Sequence, residues 1–391
     1  MLPVTLKHVA SSLRSYTPSR SRVFQCALYS TKVSKPLRVL FCGSDGFSSA
    51  ALRVLHDEQR RDPQSIASID VLCRPGKRTG RGLKIFREVP IKAVAQELGL
   101  RVHERDTFTG WQLPRPDGEA INLVIAVSFG LFVPPRILKS TEYGGLNLHP
   151  SLLPAFPGAA PIQRTLLAGV QSTGVSLQTL DEKAFDRGII LATTGKLTIE
   201  ENSRYEDVLE MLTPKAADLL REGIRKKVYV PPLEAVKAVD IPAEVKQMSA
   251  PKITSEDRHI DWERSADVLA RYHRVLGALW VEVAYPLQEP KRWIFGDVEE
   301  CSEGTINEAK TRSVAEDTSL EKSEKEKLPS TISFLETSHI EYVDGGEGAI
   351  IFKTGDGRGV KVRQITVAGQ KKRSAAVVVD ELRRLWKQNP I

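Results

Sequence analysis

The chain has 391 residues, is 41% hydrophobic and carries a net charge of +7, which is room for two or three ordinary domains. No run of about 18 apolar residues occurs, which argues against a membrane-spanning helix. The four cysteines (Cys26, Cys42, Cys73 and Cys301) are scattered, with no C-x-x-C pair and no histidines at ligand spacing. Neither a disulfide framework nor a zinc site is therefore expected, and a reduced, intracellular setting is.

The charge is uneven along the chain. The first acidic residue is Asp45, whereas Lys7, Arg14, Arg20, Arg22, Lys32 and Lys35 all precede residue 36. Those six account for most of the excess, and residues 36–391 carry only +1. A basic, serine-rich, acid-free start has the composition of an organelle transit peptide. Residues 1–35 are expected to be one, addressed to the mitochondrion in preference to the chloroplast.

The folded part opens at Leu37. An apolar run at 37–42 ends in Gly43, and an amphipathic stretch follows over 47–59. The alternation recurs, with strands predicted at 67–73 and 121–127 and helices at 90–98 and 134–138. Continuous apolar strands alternating with helices argue an α/β domain whose parallel sheet is covered on both faces. The first turn, Gly43-Ser44-Asp45-Gly46-Phe47, lacks the G-x-G-x-x-G spacing that lets a pyrophosphate approach, so nicotinamide chemistry is a weak reading. A strand end at 145–149 and a helix at 161–168 come next, then an antiparallel pair made of 172–180 and 188–199. A long helix over 204–226 places Val208, Leu209, Leu212, Ala216, Leu219 and Leu220 at helical spacing.

From 228 to 250 the chain holds Pro231, Pro232 and Pro242 and shows no clear period, which reads as a linker. The first domain therefore spans 36–227, and a second, smaller one spans 251–391. In the latter a helix at 265–276 precedes strand-like segments at 280–284, 340–343, 349–353 and 359–367. Short strands separated by glycines suggest a small barrel. Residues 299–330 are dense in Glu, Lys, Ser and Thr and are expected to be a disordered, solvated insertion.

The chemistry concentrates in 145–161. Asn147 and His149 alternate on a strand, so both side chains leave the same face. Pro150, Pro154 and Pro157 then impose a stiff loop at the carboxyl end of a parallel strand, where open α/β sheets bind ligands. An amide and an imidazole there can donate to one oxygen, an effect worth about 3–4 kcal/mol per donor in acyl transfer. Asp186, in a turn between two strands, is the carboxylate placed to hold His149 or to receive a proton. An Asn-x-His on a strand is equally compatible with a structural role, and Asp186 with an ordinary turn residue. Two basic regions stand apart. One is 74–84, with three glycines and five positive charges. The other gathers Arg358, Lys361, Arg363, Lys371, Lys372, Arg373, Arg383, Arg384 and Lys387. Each is either solvated surface or a grip on nucleic-acid phosphates.

Asn147-x-His149-Pro-Ser-Leu-Leu-Pro154, then Pro157-Gly-Ala-Ala-Pro-Ile-Gln-Arg164 and Asp186-Arg187-Gly188, resembles the 10-formyltetrahydrofolate-dependent formyltransferases. Within that family the likeness is to the mitochondrial enzymes that act on methionyl-tRNA. It runs from about residue 37 to 220 and resumes at Ile260-Asp261-Trp262 and at 367–372. The resemblance implies a Rossmann-like domain followed by an OB-like barrel. It also implies Asn147, His149 and Asp186 as the catalytic trio, and Ser151, Leu152, Leu153 and Pro154 against the folate. The co-substrate it implies is 10-formyltetrahydrofolate, with no metal. The acceptor is initiator methionyl-tRNA, held by Arg78, Arg81 and Lys84 of the first basic region and by Lys371, Lys372 and Arg373 of the second. A monomer with no membrane partner is expected. Arg81 matches the Gly-Arg-Gly pattern that lies near the acceptor stem in the tRNA-acting branch. Two departures stand out: Ser44-Asp45 where relatives have Thr-Pro, and Arg187 where they have a small residue. A formyltransferase acting on a small amine would use the same trio without needing the basic regions, and an RNA-binding protein lacking catalysis is the non-enzymatic alternative.

Overall fold

The structure is a computed structural model and describes residues 32–237, 239–316, 331–332 and 340–389. Most of the expected leader thus lies outside the described residues. Its last four lie against the body, where Lys35 pairs with Glu142 at 2.9 Å and Lys32 with Glu234 at 3.3 Å.

The first apolar run forms β1 (Leu37–Gly43), buried at every position except Arg38. Helix α1 (Gly46–Arg61) starts where the Asp45 carboxylate accepts a hydrogen bond from the Ser48 backbone amide at 2.9 Å, an N-cap worth about 1 kcal/mol. Strand β2 (Ile66–Cys73), the hairpin β3 (Lys77–Thr79) and β4 (Ile85–Arg87), helix α2 (Pro90–Glu97) and strand β5 (Arg101–Glu104) follow. Next come β6 (Leu123–Val127), α3 (Pro135–Leu138), β7 (Gly145–His149) and α4 (Pro161–Leu167). The domain closes with β8 (Ser172–Thr173), β9 (Ser176–Thr179), β10 (Ile190–Thr193), β11 (Leu197–Thr198) and α5 (Tyr205–Arg225).

Seven strands make one sheet in the order β10-β9-β7-β6-β1-β2-β5. Pairs from β7 to β5 are parallel, and β9 and β10 extend the sheet antiparallel. Leu37, Val39 and Phe41 of β1 pack with residues of α1 and α5, whereas Leu40 and Cys42 pack with Phe129, Val133 and Leu138. Both faces are therefore covered, as continuous apolar runs require. The chain leaves β1 for β2 on one side and returns to β6 on the other. That switch opens a crevice at the carboxyl ends of the strands. The expected pair 172–180 and 188–199 is two short ladders, because Gly174 passes too close to its neighbours to stay in one: a Cβ there would lie 2.5 Å from both the Gly195 carbonyl and Leu152.

After α6 (Ala243–Lys246), the second unit contains α7 (Ala266–Leu276), β12 (Leu279–Tyr285), β13 (Gln288–Cys301) and α8 (Glu303–Glu316). It continues with β14 (Thr331–Ile332), β15 (Ile340–Gly346), β16 (Ala349–Lys353), β17 (Gly359–Val367), β18 (Arg373–Ser374) and α9 (Ala375–Gln388). Its strands form a curled, barrel-like antiparallel sheet, β12-β13-β17-β16-β15-β14, with β18 on β17. Trp262, Trp293, Phe295 and Phe352 fill the interior, their ring centroids 5.4–6.4 Å apart.

Three expectations need correction here. Residues 299–316 are ordered, since β13 runs on to Cys301 and α8 buries Ile306 and Ala309 against Cys301 and Ile351. A single apolar stripe suffices to dock an otherwise polar helix; residues 317–330 lie outside the described residues. Helix α9, absent from the sequence reading, buries Ala375, Val378, Val379 and Leu382, an i, i+3, i+4, i+7 face. The segment 228–250 is not a free tether. Its Ile241, Val245 and Ala250 pack on Leu152, Ala155 and Phe156, so it lies as a strap across the back of the proline-rich loop. Just beyond, Arg164 of α4 holds Asp257 with two hydrogen bonds of 2.6 and 2.9 Å and donates to the Pro251 carbonyl.

Candidate active site

A cavity of about 500 Å³ opens at the carboxyl ends of β1, β6 and β7, within the usual range for small-molecule sites. One wall is the β6–α3 connection from Ser128 to Val133, another the β9–β10 connection from Leu180 to Asp186. Phe132 and Phe185 meet edge to face across the two walls, centroids 5.2 Å apart. Asp45, Phe47, Tyr205 and Leu209 complete the lining. Burial, with the Asp45 and Glu206 carboxylates nearby, pushes the Tyr205 hydroxyl up.

Asn147 and His149 reach the cavity floor from β7, and Asp186 reaches it from the β9–β10 turn. The Asn147 Nδ2 donates to the Ala126 carbonyl at 3.0 Å. That bond settles the amide orientation, since the reversed amide would set oxygen against oxygen. His149 is 5% exposed, and its Nε2 lies 3.0 Å from the Phe156 carbonyl. A carbonyl only accepts, so Nε2 carries a proton and Nδ1 is the atom turned toward Asp186, 3.5 Å from its Oδ1. Asp186 has a φ of 54° and is fixed by the Gly158 amide, which donates to Oδ2 at 2.9 Å. Loop residues 156 and 158 thus hold both His149 and Asp186.

One polar residue on the floor had no signal in the sequence. Gln178 of β9 stands opposite Asn147 in the ladder, and its Nε2 donates to Asn147 Oδ1 at 3.0 Å and to Asp186 Oδ1 at 3.1 Å. A glutamine inside Ser-Leu-Gln-Thr-Leu carries no motif, and only the β7–β9 pairing brings it to the trio.

The expected folate contacts at 151–154 are not on this cavity. Ser151 and Leu153 are tied through the Ser176 hydroxyl, which donates to the Ser151 carbonyl and accepts from the Leu153 amide. Leu152 packs into the strap, and Pro154 is exposed on the outside of the turn. The proline loop therefore supports the floor from behind. Arg187 is exposed and is absent from the lining, so it does not narrow the entrance.

The first basic region is a hairpin that rises from the carboxyl end of β2, the same edge of the sheet as the cavity. Arg78 and Lys84 are exposed, and the Arg81 backbone enters the turn Arg81–Leu83; its side chain lies outside the described residues. Gly80 and Gly82 adopt φ of 77° and 73°, a conformation glycine reaches without strain. Leu83, Ile85 and Phe86 are each more than half exposed at the same tip. In the second region Lys371 and Lys372 are exposed on the β17–β18 turn. Arg373 is not a free cation, because it pairs with Glu381 at 2.5 Å. Arg358 and Arg363 are likewise held by carboxylates.

Residues 37–221 match the model of the formyl transferase family. The mitochondrial methionyl-tRNA formyltransferase of Saccharomyces cerevisiae is 34% identical over 306 residues, covering 68% of this chain and 75% of that one. The methionyl-tRNA formyltransferase of Frankia casuarinae is 33% identical over 244 residues, covering 61% and 67%. A sugar 3N-formyl transferase solved with dTDP and 5-N-formyl-THF aligns at 12% identity over 84% of this chain and 98% of its own, with a TM-score of 0.48.

Proposed function

The chain belongs to the formyl transferase family, and from that membership we propose that it formylates the α-amine of methionine on initiator tRNA, with 10-formyltetrahydrofolate as donor. The observation that carries the mechanism is the convergence of Asn147, His149 and Asp186 on one cavity floor. The cavity suits the folate: Phe129, Leu131, Phe132, Leu180 and Phe185 offer apolar walls to a flat bicyclic ring, and the polar atoms gather at the floor. When bound, the folate supplies the formyl carbon and the nitrogen that leaves it.

Asn147 has a second Nδ2 hydrogen left for the cavity once Ala126 is served. It meets the negative charge that builds on the formyl oxygen as the amine adds, together with His149, whose Nδ1 is on the cavity side of the ring. Asp186 sets the proton on His149 and receives, through water, the proton the amine must lose. That proton is then available to the departing folate nitrogen, so the transfer is neutral overall. Phe132 and Phe185, in edge-to-face contact, add apolar surface on that side of the cavity.

Two further parts belong to the reading. The hairpin at 74–87, with Arg78, Arg81 and Lys84, takes the acceptor end, and Lys371 and Lys372 take phosphates farther along the stem. The setting is the mitochondrial matrix, for which the acid-free leader and the yeast relative speak. The enzymatic test is incubation of the purified chain with methionyl-tRNA and formyl-folate. Acid-stable formylmethionine is expected, and its absence at any substrate level would remove the reading. For the address, residues 1–35 fused to a fluorescent reporter should carry it into mitochondria. A diffuse cytosolic signal would count against the organelle and leave the chemistry standing.

A further inference from the structure

We propose that Gln178 is a positioning residue of the transfer reaction: a buried amide that fixes both Asn147 and Asp186 by giving each one hydrogen of the same nitrogen. The proposal rests on the formyl-transfer reading and adds to it a fourth polar member of the floor.

Gln178 is 1% exposed, and its place is set by backbone register, since it faces Asn147 across the β7–β9 ladder and Ile190 across β9–β10. Both Nε2 hydrogens are used, one on Asn147 Oδ1 and one on Asp186 Oδ1. Because Ala126 fixes the Asn147 amide with its oxygen toward β9, only a donor fits at this point. The Asp186 carboxylate confirms the orientation, as a reversed Gln178 amide would oppose its oxygen to two others. The other end of the side chain is informative too. Gln178 Oε1 is buried without a hydrogen-bond partner, a loss that an apolar residue of similar length would not incur. Packing alone gives no reason for glutamine here; the two Nε2 bonds do.

Their chemical effect follows from which atoms they occupy. Asn147 must keep its oxygen away from the cavity for its N–H to face the formyl oxygen, and Gln178 holds that oxygen. Asp186 Oδ1 is shared between Gln178 at 3.1 Å and His149 Nδ1 at 3.5 Å. Gln178 thereby keeps the carboxylate from closing onto the imidazole, so that the His149 proton stays transferable.

The experiment uses the full chain carrying Gln178→Met or Gln178→Glu. Steady-state kinetics in both substrates are combined with ¹⁵N NMR of the His149 ring, whose two nitrogen resonances report the hydrogen bonds they make. For Gln178→Met, kcat should fall about 10- to 100-fold through lost alignment, with both KM values within about twofold. The His149 Nδ1 resonance should move as the carboxylate turns to it alone. Gln178→Glu places a third oxygen among the two, and its activity should recover as pH falls and the new carboxyl gains a proton to donate. A kcat within twofold of wild type, an effect confined to KM, or an unmoved His149 Nδ1 resonance would overturn the proposal. Inactive wild type would instead remove the parent reading, and the His149 Nδ1 resonance would still decide the role of Gln178.

Discussion

The floor of the cavity and the basic hairpin sit at the same edge of one sheet, yet they are built on opposite principles. On the floor, Asn147, His149, Asp186 and Gln178 spend their hydrogen bonds on one another and on the carbonyls and amide of Ala126, Phe156 and Gly158. In the hairpin, Lys77, Arg78, Lys84, Leu83, Ile85 and Phe86 face solvent, and the backbone ladder of β3 and β4 is what gives it shape. The first region is pre-organised, so its reaction needs no rearrangement at the moment of transfer. The second is unsatisfied, which suits a surface whose contacts come from a partner. One fold keeps the two apart by placing the convergent polar floor at strand ends and the exposed basic hairpin on a loop beyond them.

The contrast can be broken most directly at its rigid end. His149→Ala and Asp186→Ala should each lower kcat by a factor of about 10³ or more, with circular dichroism and melting close to wild type. Near-normal turnover of either purified variant would remove that residue from the mechanism. At the hairpin, Arg81→Ala should reduce kcat by about 100-fold while changing the tRNA KM little, since a misplacement of about 1 Å is that costly. A loss confined to KM would make the hairpin a clamp and not a positioning device. The double change of Lys371 and Lys372 to Ala should act the other way. The tRNA KM is expected to rise about tenfold and the slope of log affinity against log salt to flatten by about one to two. Unchanged salt dependence would take the barrel-like unit out of tRNA binding. Arg373 is left out because Glu381 already holds it.

The smallest effect concerns the joint between the two units. Burial alone would push the Asp257 carboxyl up, but the Arg164 guanidinium and the Thr254 amide outweigh it and hold the group below the usual carboxylate range. A lowered value means the pair stabilises the fold at and above the ordinary carboxylate range. That contribution fades as pH falls through the depressed value. Asp257→Asn should therefore cost about 1–2 kcal/mol near neutral pH and progressively less in acid. Equal melting losses at pH 7 and pH 3 would contradict the assignment.

Which parts were legible in the sequence follows from the range of the forces involved. Asn147 and His149 announce themselves because strand alternation is local, and β1, β6 and β7 because burial on both faces leaves an unbroken apolar run. Gln178 could not be found that way, as its meaning comes from a strand pairing across 31 residues. Charge counting overestimated the second basic region for the same reason. Arg358 is neutralised by Asp267, 91 residues away in the chain, and Arg363 by Glu299. Helix α9 was hidden by Val377, Val378 and Val379, β-branched residues that read locally as strand although every third or fourth position is apolar. The folate reading at 151–154 rests on the resemblance alone, since these residues do not line the cavity. Prolines do mark a rigid loop there, but rigidity serves the residues on its far side.

The strap has a consequence for how such enzymes can be recombined. Its backbone joins the proline-rich loop through three hydrogen bonds, from Phe156 to Met248, Ala250 to Pro157 and Ala160 to Ala250. At Gly158 the approach is so close that a Cβ would come within 2.4 Å of the Ala250 carbonyl. Phe156 and Gly158 are the residues that grip His149 and Asp186. A chimera joined at residue 228 would thus inherit its active-site scaffolding from the wrong parent. Residues 228–257 travel with the catalytic half, and the exchangeable module begins only after Asp257.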